Sequence, residues 1–307
     1  MWDTEVELEA LPPFRLDYTV WALKRRLINL VDTFEGGVYR RVEVVGGRPV
    51  GVEVAQVGSP DEPRLTVRLV CVEPAGDVVE ELVRRVIRLL GVSVDLGGFY
   101  RIAAGDPHLS ALVNAFLGLK PPRFPNLFEA ILNAVACQQV SLDVGLGLVS
   151  KLAKSFGERL SDARGYTYSF PQPQRVMGAS VASLRALGFS NKKAEVIKAV
   201  AAAYLEGEFD ERRFEAMSNA EAVRTLDAVK GIGRWSAEYV LLRGLGRLDV
   251  YPGDDVGAAR SLAAWLGVDH RLSYEEVQEA TSAWGRYRGM VYFHFLLRRL
   301  KEKNVVD

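Results

Sequence analysis

The chain has 307 residues, 49% of them hydrophobic and 25% charged, enough to bury large cores in two or three domains of an ordinary soluble globular protein. Its apolar runs are broken before a membrane-spanning length, Met1-Trp2-Asp3-Thr4-Glu5 lacks the features of a secretory leader, and Cys71 and Cys137 are too few for a disulfide framework, a cysteine zinc site or an iron–sulfur cluster, so a cytosolic protein without membrane association is expected. Lys plus Arg and Asp plus Glu both number 39, which excludes recognition of nucleic acid through a global basic excess and leaves only backbone amides and a few arginines for gripping phosphates.

The first expected element is a helix from about Tyr18 to Asp32. Val38, Arg40, Val42 and Val44 then alternate at period two, as do Val50, Val52 and Val54 beyond Gly46-Gly47, which predicts a β-hairpin. Leu65, Val67, Leu69 and Cys71 supply a third strand, and Asp77 is placed to cap a helix whose Val79, Leu82, Val83, Val86 and Leu90 share one face before Gly91 stops it. Residues 1–93 therefore read as a small antiparallel sheet with helices against it. From about Pro107 the pattern is helical. Asn126-Leu127-Phe128-Glu129 resembles a capping box opening a helix through Val135, Pro121-Pro122 and Phe170-Pro171-Gln172-Pro173 are rigid connectors, and Lys192 to Ala203 is helical after a turn at Leu184 to Gly188.

Leu226 and Val229, then Gly231-Ile232-Gly233, then Ala237, Val240 and Leu241 describe two short helices joined by a hairpin in which glycine permits positive φ and close approach of the backbone. Amides freed at the start of the second helix can hold a phosphate. By itself such a turn is equally the core of a plain helix-turn-helix. Tyr251-Pro252-Gly253-Asp254-Asp255 follows, and an Asp-Asp pair after Pro-Gly reads first as a helix N-cap.

Taken together, Gly231-Ile232-Gly233-Arg234-Trp235-Ser236-Ala237-Glu238-Tyr239, Leu242-Arg243-Gly244 and Asp249 to Asp255 resemble the DNA-3-methyladenine glycosylase II family of the helix-hairpin-helix glycosylase superfamily. Gln138-Gln139-Val140-Ser141, Phe170 to Gln174, Leu184 to Gly188 and Trp284-Gly285-Arg286-Tyr287-Arg288 with His294 extend the resemblance over nearly the whole chain. It implies an α+β protein: an N-terminal antiparallel sheet with helices over 1–93, then an all-α two-lobed glycosylase region over 94–307, with one lobe at 120–245 and the other at 94–119 plus 246–307. The implied function is base excision repair: alkylated bases such as 3-methyladenine or 7-methylguanine are flipped from double-stranded DNA and released as free base.

The resemblance makes Asp255 the catalytic carboxylate, a role compatible with capping, since amides and the helix dipole orient a carboxylate there. Such a charge stabilises the sugar cation that develops as the N-glycosidic bond breaks. Trp235, Tyr239 and Gln138 are implied in the base pocket, where an electron-rich ring gains about 0.5 to 2 kcal/mol on a cationic base. Gly231, Ile232, Gly233, Arg234 and Ser236 are implied in DNA binding, and Gln139 as the plug for the gap left by the flipped base. Leu296 stands where another pocket aromatic is expected, a departure that Trp21, Tyr287 or Tyr292 could offset. His294 reads as structural, and His108 and His270 carry no motif. The family further implies a monovalent or divalent cation on backbone carbonyls of the hairpin, with no side-chain metal ligand and no required cofactor. Monomeric state and a cytoplasmic location, in contact with the nucleoid through DNA or nuclear in a eukaryote, complete the expectation. Two alternatives remain: a glycosylase/lyase of the 8-oxoguanine type, whose lysine nucleophile falls at Trp235 here, and a non-catalytic helix-hairpin-helix DNA-binding protein.

Overall fold

A computed structural model describes residues 2–74, 77–160, 165 and 168–306. Strands β1 (Trp2–Glu9), β2 (Asp32–Glu35), β3 (Val38–Val45), β4 (Arg48–Gln56) and β5 (Arg64–Cys71) form one sheet in the order β1-β5-β4-β3-β2, every neighbouring pair antiparallel. The expected hairpin turns at Gly46 and Gly47, both at positive φ, as a two-residue connection with right-handed twist requires. Both edge strands add to the three expected. In β1, Trp2, Thr4, Val6 and Leu8 are half-buried while Asp3, Glu5, Glu7 and Glu9 face outward, the alternation of an edge strand covered on one side.

Helix α1 (Leu16–Lys24) is shorter than the Tyr18 to Asp32 span expected, because Arg25 takes φ +64° and turns the chain. The buried Lys24 Nζ then donates to the carbonyls of Asn29 and Asp32, and Asp32 to Glu35 pair with β3 instead of continuing the helix. Tertiary pairing outweighs helical propensity here. Helix α2 (Val78–Leu90) stops at Gly91 in the left-handed region, but the Asp77 side chain makes no cap bond.

The remaining helices are α3 (Gly97–Ala104), α4 (Pro107–Asn114), α5 (Leu127–Cys137), α6 (Leu142–Phe156), α7 (Pro173–Gly178), α8 (Val181–Ala186), α9 (Asn191–Leu205), α10 (Glu211–Glu215) and α11 (Asn219–Asp227). They continue as α12 (Arg234–Arg243), α13 (Val256–Leu266), α14 (Tyr274–Ala280), a 3₁₀ turn at Ser282–Tyr287 and α15 (Arg288–Glu302). No described helix is long and apolar enough to cross a membrane.

Two cores organise these elements. One runs from the inner face of the sheet, through Val52, Val67 and Leu82, into α5, α6, α9, α11 and most of α12. The other gathers α3, α4, α13 and α15 around Phe99, Leu262 and Phe293, and takes in Leu242 from α12. Helix α12 is therefore buried on nearly every side, from Ser236 to Arg243, and stands where the cores meet.

The sheet is tied to α5 by a buried charge network. Arg41 bonds Glu129, Glu43 and Asp32, and the Tyr39 hydroxyl donates to Asp32 at 2.7 Å. The capping box expected at Asn126 is thus half formed: Asn126 accepts the Glu129 amide, but the Glu129 carboxylate reaches Arg41 rather than returning to the cap. Burial pushes the Glu129 carboxyl up to about 7 against the opposing pull of Arg41.

Candidate active site

The hairpin between α11 and α12 is a tight turn in which the Ile232 amide donates to the Val229 carbonyl at 2.9 Å. Gly231 sits at φ +94°, and a Cβ there would come within 2.2 Å of Val196 Cγ2, so only glycine fits. Gly233 differs. Its φ is −97° and nothing lies within 4 Å of a Cβ added to it, so its exposed backbone is open to an approaching ligand. No side chain caps α12, which leaves first-turn amides and the positive end of the dipole for an outside anion.

Asp255 caps α13, its Oδ1 accepting the Ala258 amide at 2.8 Å. Its Oδ2 accepts from the Tyr292 hydroxyl at 3.1 Å and lies 3.4 Å from Trp235 Nε1. One carboxylate thus joins α13, α12 and α15 where the cores meet. Burial, reinforced by the Asp255 charge, holds the Tyr292 and Tyr251 phenols well above their ordinary range, so Tyr292 remains a donor. Arg299 reaches the same turn: its Nη1 occupies the space a Cβ at Gly257 would need.

Asp254 points elsewhere. It pairs bidentately with Arg234, at 2.7 and 3.1 Å, and that guanidinium lies 3.7 Å above the Tyr274 ring. The Tyr274 hydroxyl donates to Glu238 Oε1 at 2.6 Å, and Glu238 Oε2 accepts the Gly253 amide at 3.2 Å, closing a ring of contacts around the turn that presents Asp255. The half-buried Trp235 packs on Tyr239 with ring centroids 5.5 Å apart, and behind them the Tyr239 hydroxyl accepts from the buried Arg25 at 2.8 Å.

Asp255 and Trp235 are brought together as expected, and Tyr239 stands directly behind Trp235. Gln138 has a different position from the pocket expected for it: its Nε2 donates to the Gly231 carbonyl at 2.8 Å and to Ser236 Oγ at 2.9 Å, bracing the hairpin against α5. Ile232 and Ser236 are buried, so their side chains support the hairpin rather than face DNA. Gln139 is exposed at φ +53° between α5 and α6, an apex conformation rare outside glycine. Leu296 and Tyr287 belong to the second core, and His294 donates from Nδ1 to the Met290 carbonyl, which makes it structural. Glu238 lies within the hairpin run without an expected role, and Arg25 and Tyr274 carry no motif. The only sequence cue to Arg25 is its place in an Arg25-Arg26 pair, which reads more readily as a solvated helix face than as a basic patch for nucleic acid.

The described residues contain no group of three or more His, Cys, Asp or Glu side chains placed to hold a metal. A hairpin cation therefore depends on main-chain carbonyls. The donors are of suitable hard-oxygen chemistry, but the Gly231 and Val229 carbonyls already accept internal bonds.

A sheet packed on helices, a hairpin with a free amide terminus and a carboxylate poised beside it define a helix-hairpin-helix protein built to act on DNA. The model of the HhH-GPD superfamily of base excision DNA repair proteins matches residues 132–286. "DNA-3-methyladenine glycosylase 2" of Escherichia coli is 31% identical over 80% of this chain and 82% of its own length. The solved 3-methyladenine DNA glycosylase from Archaeoglobus fulgidus is 29% identical, with a TM-score of 0.79 over 98% of this chain and 99% of that one. The Schizosaccharomyces pombe 3-methyladenine DNA glycosylase solved with abasic DNA is 25% identical, with a TM-score of 0.55 over 66% of this chain and 95% of that one. The chain belongs to the HhH-GPD superfamily, within its DNA-3-methyladenine glycosylase family.

Proposed function

We propose that this protein is a monofunctional DNA glycosylase that flips alkylated bases, such as 3-methyladenine or 7-methylguanine, out of duplex DNA and hydrolyses the N-glycosidic bond. The observation that carries this reading is the Asp255 carboxylate, fixed by the Ala258 amide and the Tyr292 hydroxyl beside the Trp235 ring. Flipping exposes a bond that stacking hides, at a cost of roughly a few kcal/mol. Phosphate held at the hairpin and stacking on Trp235 offset that cost. As the base departs, positive charge grows on the sugar, Asp255 stabilises it, and water completes the substitution. Family likeness and the names of the relatives support the lesion class.

A lyase would need an amine to attack the sugar carbon. The position that carries it in the 8-oxoguanine type is Trp235, and the exposed Lys230 precedes the hairpin. The hairpin cation, if bound, is structural, and the protein acts as a monomer. Incubation with alkylated duplex followed by chromatography tests the proposal: free alkylated base and an intact abasic strand are expected, and no released base would leave a binding protein only.

A further inference from the structure

We propose that Arg25 and Arg243, two buried guanidiniums behind Tyr239, bias the base pocket toward uncharged lesion bases by setting positive potential where a departing base gathers electrons. Their relative exposures are 3% and 1%, and among the described residues neither has a carboxylate partner. Arg25 donates to the Tyr239 hydroxyl at 2.8 Å and to Asn133 Oδ1 at 3.1 Å, while Arg243 donates to the Ala22 and Leu23 carbonyls at 2.8 and 3.4 Å. The Nε of each has no partner at all. Both flank the same two rings: Arg25 Cζ lies 5.9 Å from the centroids of Phe124 and of Tyr239, and Arg243 Cζ lies 5.4 and 5.7 Å from them. An arginine stays charged even in such surroundings.

Two like charges in one core, each without a counter-ion, oppose folding. Arg25 adds a left-handed backbone at φ +64°, costly for a residue with a Cβ. The hydrogen bonds alone do not account for this, since a neutral donor could serve a phenol oxygen or a carbonyl without burying charge. What a neutral donor lacks is the field. Tyr239 links that field to the pocket, because its hydroxyl meets Arg25 while its ring packs on Trp235 at 5.5 Å. Asp255 stands at the Nε1 edge of Trp235, so negative charge beside the sugar and positive charge behind Tyr239 polarise the pocket from sugar to base.

When the N-glycosidic bond breaks, its electron pair stays with the base. A cationic base then leaves neutral, whereas a neutral base leaves as an anion, which takes up the proton released when water adds to the sugar. Fixed positive charge near the base therefore stabilises the departing neutral base and disfavours entry of a cationic one. Through Tyr239, Arg25 acts as a positioning residue for the field rather than as a group that touches the substrate.

The inference rests on the glycosylase reading, and the experiment separates the two. Arg25→Gln removes the charge and keeps a donor, while Arg25→Lys keeps the charge, assayed at mildly acid pH so that a buried lysine holds its proton. Single-turnover efficiency is measured on two duplexes, one with 7-methylguanine, cationic in DNA, and one with 1,N6-ethenoadenine, an alkylated base without charge under these conditions. In Arg25→Gln the efficiency ratio of the first to the second should rise about tenfold over the unaltered protein, the effect of one unit charge roughly 10 Å away at an effective dielectric near 20. Arg25→Lys should restore the parent ratio. Because one preparation acts on both duplexes, the ratio is independent of the fraction folded, and Arg25→Met gives the same reading if Arg25→Gln does not accumulate. Efficiencies lowered alike, with the ratio unchanged, would make Arg25 a packing residue and overturn the inference. The same rise in Arg25→Lys would overturn it too, as would release of 7-methylguanine alone by the unaltered protein. If the unaltered protein releases neither base, it is the glycosylase reading that fails.

Discussion

Asp255→Asn separates the two roles of this carboxylate. The asparagine oxygen can still accept the Ala258 amide now bonded at 2.8 Å, and Asn caps helices as well as Asp, so α13 should lose no more than about 0.5 kcal/mol. On the other branch, the new amide nitrogen faces the Tyr292 hydroxyl and Trp235 Nε1. The hydroxyl can rotate to accept, whereas the indole N–H cannot, which costs about 1 kcal/mol. The larger effect is on the reaction. One unit charge about 4 Å from a developing sugar cation contributes roughly 4 kcal/mol at an effective dielectric near 20, or about 10³-fold in rate. Asp254→Asn removes only a half-exposed ion pair with Arg234, worth about 1 kcal/mol or less, and should slow base release about fivefold at most. Single-turnover release from one alkylated duplex measures both, with affinity for abasic-mimic DNA and melting temperature as controls. A loss below about tenfold for Asp255→Asn, or a larger loss at position 254, refutes the assignment.

Gly233→Ala should leave melting temperature unchanged, because no protein atom lies within 4 Å of the added carbon, yet weaken binding to damaged and undamaged duplex alike; Gly231→Ala should destabilise the fold, since its methyl meets Val196. Equal melting temperatures for the two variants would contradict the hairpin geometry. Trp235→Ala should reduce excision of a cationic base such as 7-methylguanine more than it reduces binding to an abasic mimic, and equal losses in the two assays would make it a packing residue. Borohydride added during turnover should trap no protein–DNA adduct, while a strong adduct lost in Lys230→Ala would establish lyase chemistry. His294 is buried and held down to about 4 from an ordinary 6.5, so the unfolded chain takes up a proton first as pH falls below 6.5. Stability should drop across pH 6.5 to 4 by about 3 kcal/mol from this residue, and His294→Phe, whose ring suits the contacts with Phe99 and Phe116, should remove that slope of melting temperature with pH. Parallel curves for variant and parent would show that the buried imidazole does not govern acid stability.

The sequence by itself determined the features that rest on local repetition and on short motifs. Alternation at period two marked β3, β4 and β5, and it was equally present in Trp2 to Glu9, where acidic residues at every second position spell out the exposed face of β1. The glycine-bracketed Ile232 gave the hairpin, and Pro-Gly before Asp254-Asp255 gave a capped helix start, because these depend on backbone angles set within a few residues. Family resemblance then implied the chemistry and pointed to Asp255 as the carboxylate proposed to carry it.

What only the tertiary structure decided lies in contacts between distant parts of the chain. Arg25 Nη1 meets the Tyr239 hydroxyl across 214 positions, and no periodicity can foresee that the helix must break at Lys24 to allow it. Glu129 has the spacing of a capping-box acid, but a buried Arg41 from the sheet claims it, since an unpaired guanidinium in a core costs more than an open cap. Gln138 was expected in the pocket, but its amide is bonded to the Gly231 carbonyl and to Ser236 and braces the hairpin instead. Adjacent aspartates look alike in sequence; the fold separates them, giving Asp254 to Arg234 and leaving Asp255 beside Trp235 and Tyr292. A side chain's type is local information, while its partner depends on which cores close around it.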